Sequence, residues 1–193
     1  PKYRYENLAG TSARDVYPGF SVALLLSGYG KDHYNNLNNQ PNFGYHLGIE
    51  YSQKGAVNNV GGTGFTKAKN RINYLQGDLV GSIGFGKNRK KGSFADILAG
   101  GYFAYALNGK QDITATNGST TSKSLSFGTN VSNNDFIKFD LGLKAGLLFT
   151  ISSRLSIAAF YEHGISDIAP QDNIKVNNRN IQIAAGINFG YKK

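Results

Sequence analysis

The chain has no cysteine, no methionine and no tryptophan among its 193 residues, and only four prolines. Without cysteine, neither disulfides nor thiolate metal sites can contribute. Few prolines leave long stretches free to pair in a sheet, because proline has no N–H to give to a ladder. Acidic residues are scarce too: 12 Asp plus Glu against 21 Lys plus Arg, a formal net charge of +9. That balance can signal nucleic acid. Here the cations fall mainly in predicted connections, with no basic helix and no interleaved aromatic platform, so no nucleic-acid partner is expected. No apolar run approaches the roughly 20 residues of a membrane helix. The mean hydropathy of −0.34 does not argue against a membrane barrel, whose inward polar residues offset its lipid-facing ones. Methionine is absent and the chain opens at Pro1, so an initiator and any signal peptide are expected to lie outside it.

Glycine (25) and Tyr plus Phe (12 each) are plentiful, and the apolar residues alternate. From Asn180 to Tyr191, Ile181, Ile183, Ala185, Ile187, Phe189 and Tyr191 share one face, while Asn180, Gln182, Ala184, Gly186, Asn188 and Gly190 share the other. A period of two means an extended strand. About ten residues is the length of a tilted membrane-crossing strand. The pattern recurs at Leu155–Ile165, Ile137–Phe149, Ala95–Leu107, Leu75–Phe85 and Tyr45–Tyr51, more weakly at Phe20–Leu26, and Lys2–Leu8 reads as the end of a first strand. In the Ala95–Leu107 strand the inward set includes Tyr102 and runs on to Asn108. Connections at Ala9–Pro18, Gly55–Arg71, Gly109–Asn134 and Ser166–Asn178 are polar and mostly long. Those at Gly86–Ser93 and Ser152–Arg154 are short, and Gly28–Asn42 is an exception of intermediate length. Long extracellular loops alternating with short periplasmic turns mark outer-membrane barrels. The expectation is all-β: one closed antiparallel transmembrane β-barrel of about eight strands spanning residues 1–193, with a short or truncated first strand. It would sit in a bacterial outer membrane, among lipid and lipopolysaccharide, with both termini periplasmic.

A soluble lipocalin-like barrel would also alternate, but with its bulk inside and its charges outside. Here the polar face carries Gly, Ala, Ser and single charges, which suits a cramped lumen. The apolar face carries the bulk, with aromatics near strand ends at Tyr51, Tyr74, Phe85, Phe139, Phe149 and Tyr191. Leu141, Leu143, Leu147, Ile183, Ile187 and Phe189 are therefore predicted to face lipid. Glu50, Lys54, Asp78, Asp96, Lys138, Asp140, Lys144 and Glu162 are predicted to face inward. In a lumen only wide enough for side chains, buried charges need partners, so they are expected to form an internal salt-bridge network rather than an ion path.

Further segments carry a resemblance. Tyr51-Ser52-Gln53-Lys54-Gly55-Ala56 followed by Ile72-Asn73-Tyr74-Leu75-Gln76, then Ala99–Tyr105, Lys138–Leu143 and Asn188–Tyr191, resemble the PorT-like outer-membrane β-barrel proteins of Bacteroidetes-type bacteria. The resemblance runs from about Gly19 onward. Lys192-Lys193 stands where the family has a terminal aromatic. It implies a barrel and, through the family's namesake, an accessory role in type IX secretion or gliding machinery.

Catalysis would need a nucleophile, a base and an orienting acid near a strand end. His163, Ser166 and Asp167 lie near one, and His46 is a second candidate base. His163 is predicted to face lipid while Glu162 faces inward, and no His-x-Ser pair of the deacylase kind is present, so no catalytic residues are assigned. Three histidines without cysteine offer no transition-metal set, and no cofactor is expected. The basic turn Lys87, Arg89, Lys90 and Lys91 either anchors at lipid head groups or docks an acidic partner. The loop Lys110–Asn134 is mobile by composition, unless Ile113, Leu125, Phe127 and Val131 extend the strands as a hairpin. The reading is a non-enzymatic scaffold or accessory subunit that binds another envelope protein or a larger barrel. The alternatives are a lipid A deacylase-like enzyme and a stand-alone surface adhesion or recognition barrel.

Overall fold

A computed structural model describes residues 2–6, 14–16, 18–29, 41–59, 65–85, 94–152, 154–170, 175–187 and 189. Among these residues ten strands make one antiparallel sheet: β1 (Lys2–Glu6), β2 (Arg14–Val16), β3 (Ser21–Tyr29), β4 (Asn42–Asn59), β5 (Phe65–Phe85), β6 (Phe94–Ala115), β7 (Thr120–Ser124), β8 (Phe139–Thr150), β9 (Leu155–Gly164) and β10 (Lys175–Ile187). β2 and β3 follow one another along β4, and β7 folds back on the upper part of β6. The wall thus has eight staves in the order β1-β10-β9-β8-β6-β5-β4-β2/β3. Each stave is antiparallel to its neighbours, an up-and-down meander.

The sheet curls on itself. Strands far apart in that order meet through the interior: Lys144 on β8 bonds Glu50 on β4, and Gln182 on β10 bonds the same carboxylate. Asn178 on β10 reaches Tyr74 on β5. Burial follows the period of two. Along β8, Asp140, Gly142 and Lys144 are buried while Leu141, Leu143 and Ala145 are exposed. The outer face is apolar, with Leu24 80 % and Ile183 84 % exposed. Glycine lets the wall close tightly. A Cβ at Gly100 would strike the Leu79 carbonyl, and one at Gly142 the His163 carbonyl and the Tyr102 ring.

Four features differ from the sequence-based expectation. Most of the predicted loops Gly55–Arg71 and Gly109–Asn134 is regular structure: β4 and β5 run on to Asn59 and from Phe65, and β6 continues to Ala115 before the β7 hairpin. These polar residues lie beyond the apolar belt, so no hydrophobic alternation marks them as strand. Tyr74 is fully buried in the lumen rather than part of an outer girdle. A bulge opposite it pairs Tyr74 with Ala106 and Asn73 with Asn108, leaving Leu107 extra. That bulge puts Asn108, expected inside, on the exposed face beside Asn73.

The fourth difference is at the seam. β1 pairs only with the upper part of β10, from Lys2 opposite Arg179 to Glu6 opposite Lys175. Below it, among the described residues, neither Ile181–Ile187 of β10 on that side nor the outer edge of β3 has a strand partner. A cleft of about 670 Å³ separates them, lined by Pro18–Ser21 and Arg179–Ala185. At the upper wall β1 comes close to β2 and β4 without a ladder between them among the described residues, and lower down the cleft keeps the two edges apart.

Candidate functional site

Among the described residues, the lumen holds the densest cluster of charged groups. The short loop between β8 and β9 sets a register that places Lys144 directly opposite Glu162, and the β4–β5 hairpin places Glu50 opposite Gln76 and Gly48 opposite Asp78. Curling then brings these two pairs together. Lys144 Nζ donates to Glu50 Oε2 at 3.0 Å and Asp78 Oδ2 at 2.9 Å, and lies 3.1 Å from Glu162 Oε1. Lys54 Nζ lies 3.0 Å from Glu162 Oε2 and donates to Gln76 Oε1 at 2.8 Å. All five charged groups are at least 94 % buried.

Three carboxylates against two ammonium groups leave a formal charge of −1. Amides complete the shell. Gln76 Nε2 donates to Asp78 and Glu162, Gln182 Nε2 to Glu50 at 2.6 Å, and Asn180 Nδ2 to Glu162 at 3.1 Å. Buried ions persist where their remaining lone pairs and protons are met in this way. Oxygens of Glu50, Asp78 and Glu162 come within 4.8 Å of one another, close enough to hold a cation. The Lys144 ammonium occupies that position.

Toward the loop end, a second layer rests on the first. Lys54 Nζ sits 4.3 Å from the Tyr102 ring centre, a cation–π contact. The Tyr102 hydroxyl donates to Asp140 Oδ2 at 3.1 Å, Asn178 Nδ2 donates to the same oxygen at 2.6 Å, and Ser166 Oγ donates to Oδ1 at 3.0 Å. Above this lies an apolar cap of Ile72, Leu125, Phe136, Ile168 and Val176. The lumen is therefore filled in three successive layers: an ion network, an aromatic–carboxylate layer and a hydrophobic lid.

Of the charged residues predicted to face inward, the structure joins Glu50, Asp78, Lys144, Glu162 and Lys54. Asp140 belongs to the second layer with hydroxyl and amide partners. Asp96 is buried near the short-turn end, beside Gly84. Lys138 stays outside the network: it precedes β8, half-buried, with Nζ 5.7 Å from the Tyr105 ring centre. Sequence reasoning missed the amides Gln76, Asn178, Asn180 and Gln182. Their place on inward positions flanking charges was the available signal. Leu141, Leu143, Leu147, Ile183, Ile187 and Phe189 are all exposed on the outside. Lys87, Arg89, Lys90 and Lys91 lie outside the described residues.

His163, Ser166 and Asp167, weighed above as candidates, do not assemble into a triad. His163 Nδ1 is 3.4 Å from the Tyr161 hydroxyl, whereas Ser166 Oγ turns to Asp140. Asp167 accepts backbone N–H groups from Ala169 and Val176 and so shapes its own loop. His46, facing inward, has Nδ1 2.8 Å from Ser27 Oγ, its opposite residue in the β3–β4 register, and Tyr29 packs edge-on against its ring.

An apolar outer surface around a polar, filled interior defines the class: a small antiparallel β-barrel built to cross a membrane, with a plugged lumen. No family model matches the chain, and no curated protein matches it. Among solved structures it is similar to the crystal structure of Ail, the attachment invasion locus protein of Yersinia pestis, at 18 % identity over 86 % of this chain and 94 % of that one, TM-score 0.29. It is likewise similar to Ail in complex with the heparin analogue sucrose octasulfate, at 18 % identity, the same coverage and a TM-score of 0.28.

Proposed function

We propose that the protein is a non-enzymatic barrel of the bacterial outer membrane that works through its surfaces, as a scaffold or accessory subunit for another envelope protein. The observation that carries this reading is the plug. Among the described residues, Lys144 and its three carboxylates, Tyr102 and Tyr74, and the apolar cap fill the lumen. What remains for function is the outer wall, the projecting β4–β7 ribbon, the seam and the connections. In this reading the ribbon end is extracellular and the Ser152–Arg154 turn periplasmic, with the end of β10 on the turn side. The PorT-like segments at Tyr51–Ala56 and Ile72–Gln76 are the ground for choosing a large assembly, such as type IX secretion or gliding machinery, as the partner's setting.

The test is photo-crosslinking in native membranes from probes on the β3–β10 seam and on β7, followed by mild-detergent purification. A reproducible envelope-protein adduct from either position supports the proposal. Isolation as a lone monomer, together with lipid hydrolysis or acyl transfer abolished by His46→Ala or His163→Ala, would replace it with an enzyme. Porin-sized single-channel currents would overturn the plugged lumen on which it rests.

A further inference from the structure

The outer face of the β5–β6 ribbon changes character within two residues. Climbing β5 on that face, the apolar residues end at Leu79 and Leu75, both exposed. Asn73, Arg71, Lys69 and Lys67 follow in alternation. The first polar row is an amide ladder across three strands: Gln53 Nε2 donates to Asn73 Oδ1 at 3.1 Å, and Asn73 Nδ2 to Asn108 Oδ1 at 2.7 Å. The next row sets Arg71 opposite Lys110, and the one above sets Lys69 opposite Asp112. Like charges directly opposite one another on a sheet are destabilising, and Arg71 turns diagonally to Asp112 rather than standing against Lys110 uncompensated.

Among the described residues of the ribbon, four cations share this face with a single carboxylate. Asp112 takes Arg71 Nη2 at 3.0 Å and the Ser122 hydroxyl at 2.6 Å, which leaves a local excess of three positive charges. The Asp112 carboxyl is held below the usual aspartate range by the Ser122 hydrogen bond first and, against a small burial effect, by Arg71 and Lys69 after it. Height supplies the second argument. Arg71 is four residues above Leu75, about 13 Å along the strand and roughly 10 Å along the membrane normal at a tilt near 40°, and Lys69 and Lys67 stand roughly 5 and 10 Å higher again. The polar head-group layer begins at the edge of the hydrocarbon and is several Å deep, and lysine and arginine stems reach back toward it.

We propose that the lower part of this outward face, at Lys69, Arg71 and Lys110, binds the phosphate groups of lipids in the outer leaflet. The inference rests on the outer-membrane reading above and assigns it a lipid contact site. The amide ladder lies at the interface, and the cationic rows stand beside the phosphates, where their mutual repulsion is relieved by the ligand. Arg71 is oriented by Asp112, while the lysines supply adaptable point charges.

The test uses the full chain folded into phospholipid vesicles containing either bis-phosphorylated lipid A or the same lipid A with its phosphates removed. Lipid retained by the purified barrel is measured by native mass spectrometry. Wild type is expected to retain the phosphorylated form selectively. Lys69→Gln and Lys110→Gln should each weaken retention about fivefold, and about twenty-five-fold together, while Lys67→Gln, the highest of the cations, should change it little. Arg154→Gln, at the opposite end of the barrel, should leave retention unchanged. Unaltered electrophoretic mobility of unheated samples confirms that the variants are folded. Equal retention of the two lipids, undiminished retention by the Lys69→Gln/Lys110→Gln double variant, or binding of soluble polyanions without lipid selectivity would overturn this inference alone. Failure of the wild-type chain to insert into vesicles would overturn the membrane reading and this site with it.

Discussion

Replacing Lys144 with methionine removes the ion on which the lumen converges while keeping a side chain of similar length. At contact distances of 2.9–3.1 Å to three carboxylates, each pair is worth about 5–6 kcal/mol of gross attraction at an effective dielectric near 20. Three contacts give roughly 16 kcal/mol, which exceeds the several kcal/mol needed to dehydrate one ammonium. Most of this gross term is returned by relaxation and water entry when the lysine is lost, and removing one partner of a buried ion pair typically costs about 3–5 kcal/mol. The upper part of that range is expected, because Lys54 contacts only Glu162 of the three acids. Glu50 and Asp78 then keep their amide donors Gln182 and Gln76 but no cation. The measurement is unfolding by guanidinium from vesicles, followed by circular dichroism since the chain has no tryptophan. Adding Glu50→Gln to Lys144→Met should restore about 0.5–3 kcal/mol, the usual coupling of residues in one network. A loss under about 1 kcal/mol for Lys144→Met, or strictly additive effects in the double variant, would refute the network as the organiser of the lumen.

Leu143, 57 % exposed on the outer face, should cost about 2–4 kcal/mol as Leu143→Arg if it lies near the bilayer midplane; the same unfolding assay checks it, and a neutral result would place that face in water. Gly142→Ala pushes a methyl group into the His163 carbonyl and the Tyr102 ring, an overpacking worth about 1–3 kcal/mol, whereas Gly77→Ala, with open space around it, should be tolerated. Burial alone would raise the Asp135 carboxyl, but the Ser126 N–H, the Lys123 ammonium and the Ser126 hydroxyl hold it below the usual range. A depressed folded value means this loop clamp stabilises above the ordinary aspartate value of about 3.9 and is lost as pH falls through the folded one. Protection of the Ser126 amide from exchange should therefore persist at pH 5 and fade only below about pH 4. At the seam, amides of Ile181–Ile187 that face the cleft should exchange faster than those between β8 and β9; equal protection would show that a strand occupies the cleft.

The parts of this fold that were legible in the sequence are those where the bilayer acts on every second residue. β8 and β9 alternate as expected because their outward positions must be apolar and their inward ones small or paired. The upper ribbon was not legible for the same reason. Once Lys67, Lys69 and Lys110 stand beyond the hydrocarbon, nothing obliges their strands to alternate in hydropathy, and polar strand reads as loop. Tyr74 was misassigned because an aromatic near a strand end suits both a girdle and a lumen. Only the bulge at Leu107 and the partners Asn178 and Lys54 decide for the lumen. The charge network shows the limit most clearly. Inward facing was readable for each member, and the Lys144–Glu162 pairing followed from a short hairpin. The contacts from Lys144 to Glu50 and from Lys54 to Glu162 depend on how far each hairpin slides along the barrel axis relative to the others. That stagger belongs to the closed wall as a whole, not to any local pattern. Lys138 has the right charge and a neighbouring position, yet it stands six residues above Lys144 on the same strand path and meets the Tyr105 ring instead. Facing is set by parity along a strand, but partnership is set by height, and height is fixed only when the eight staves meet.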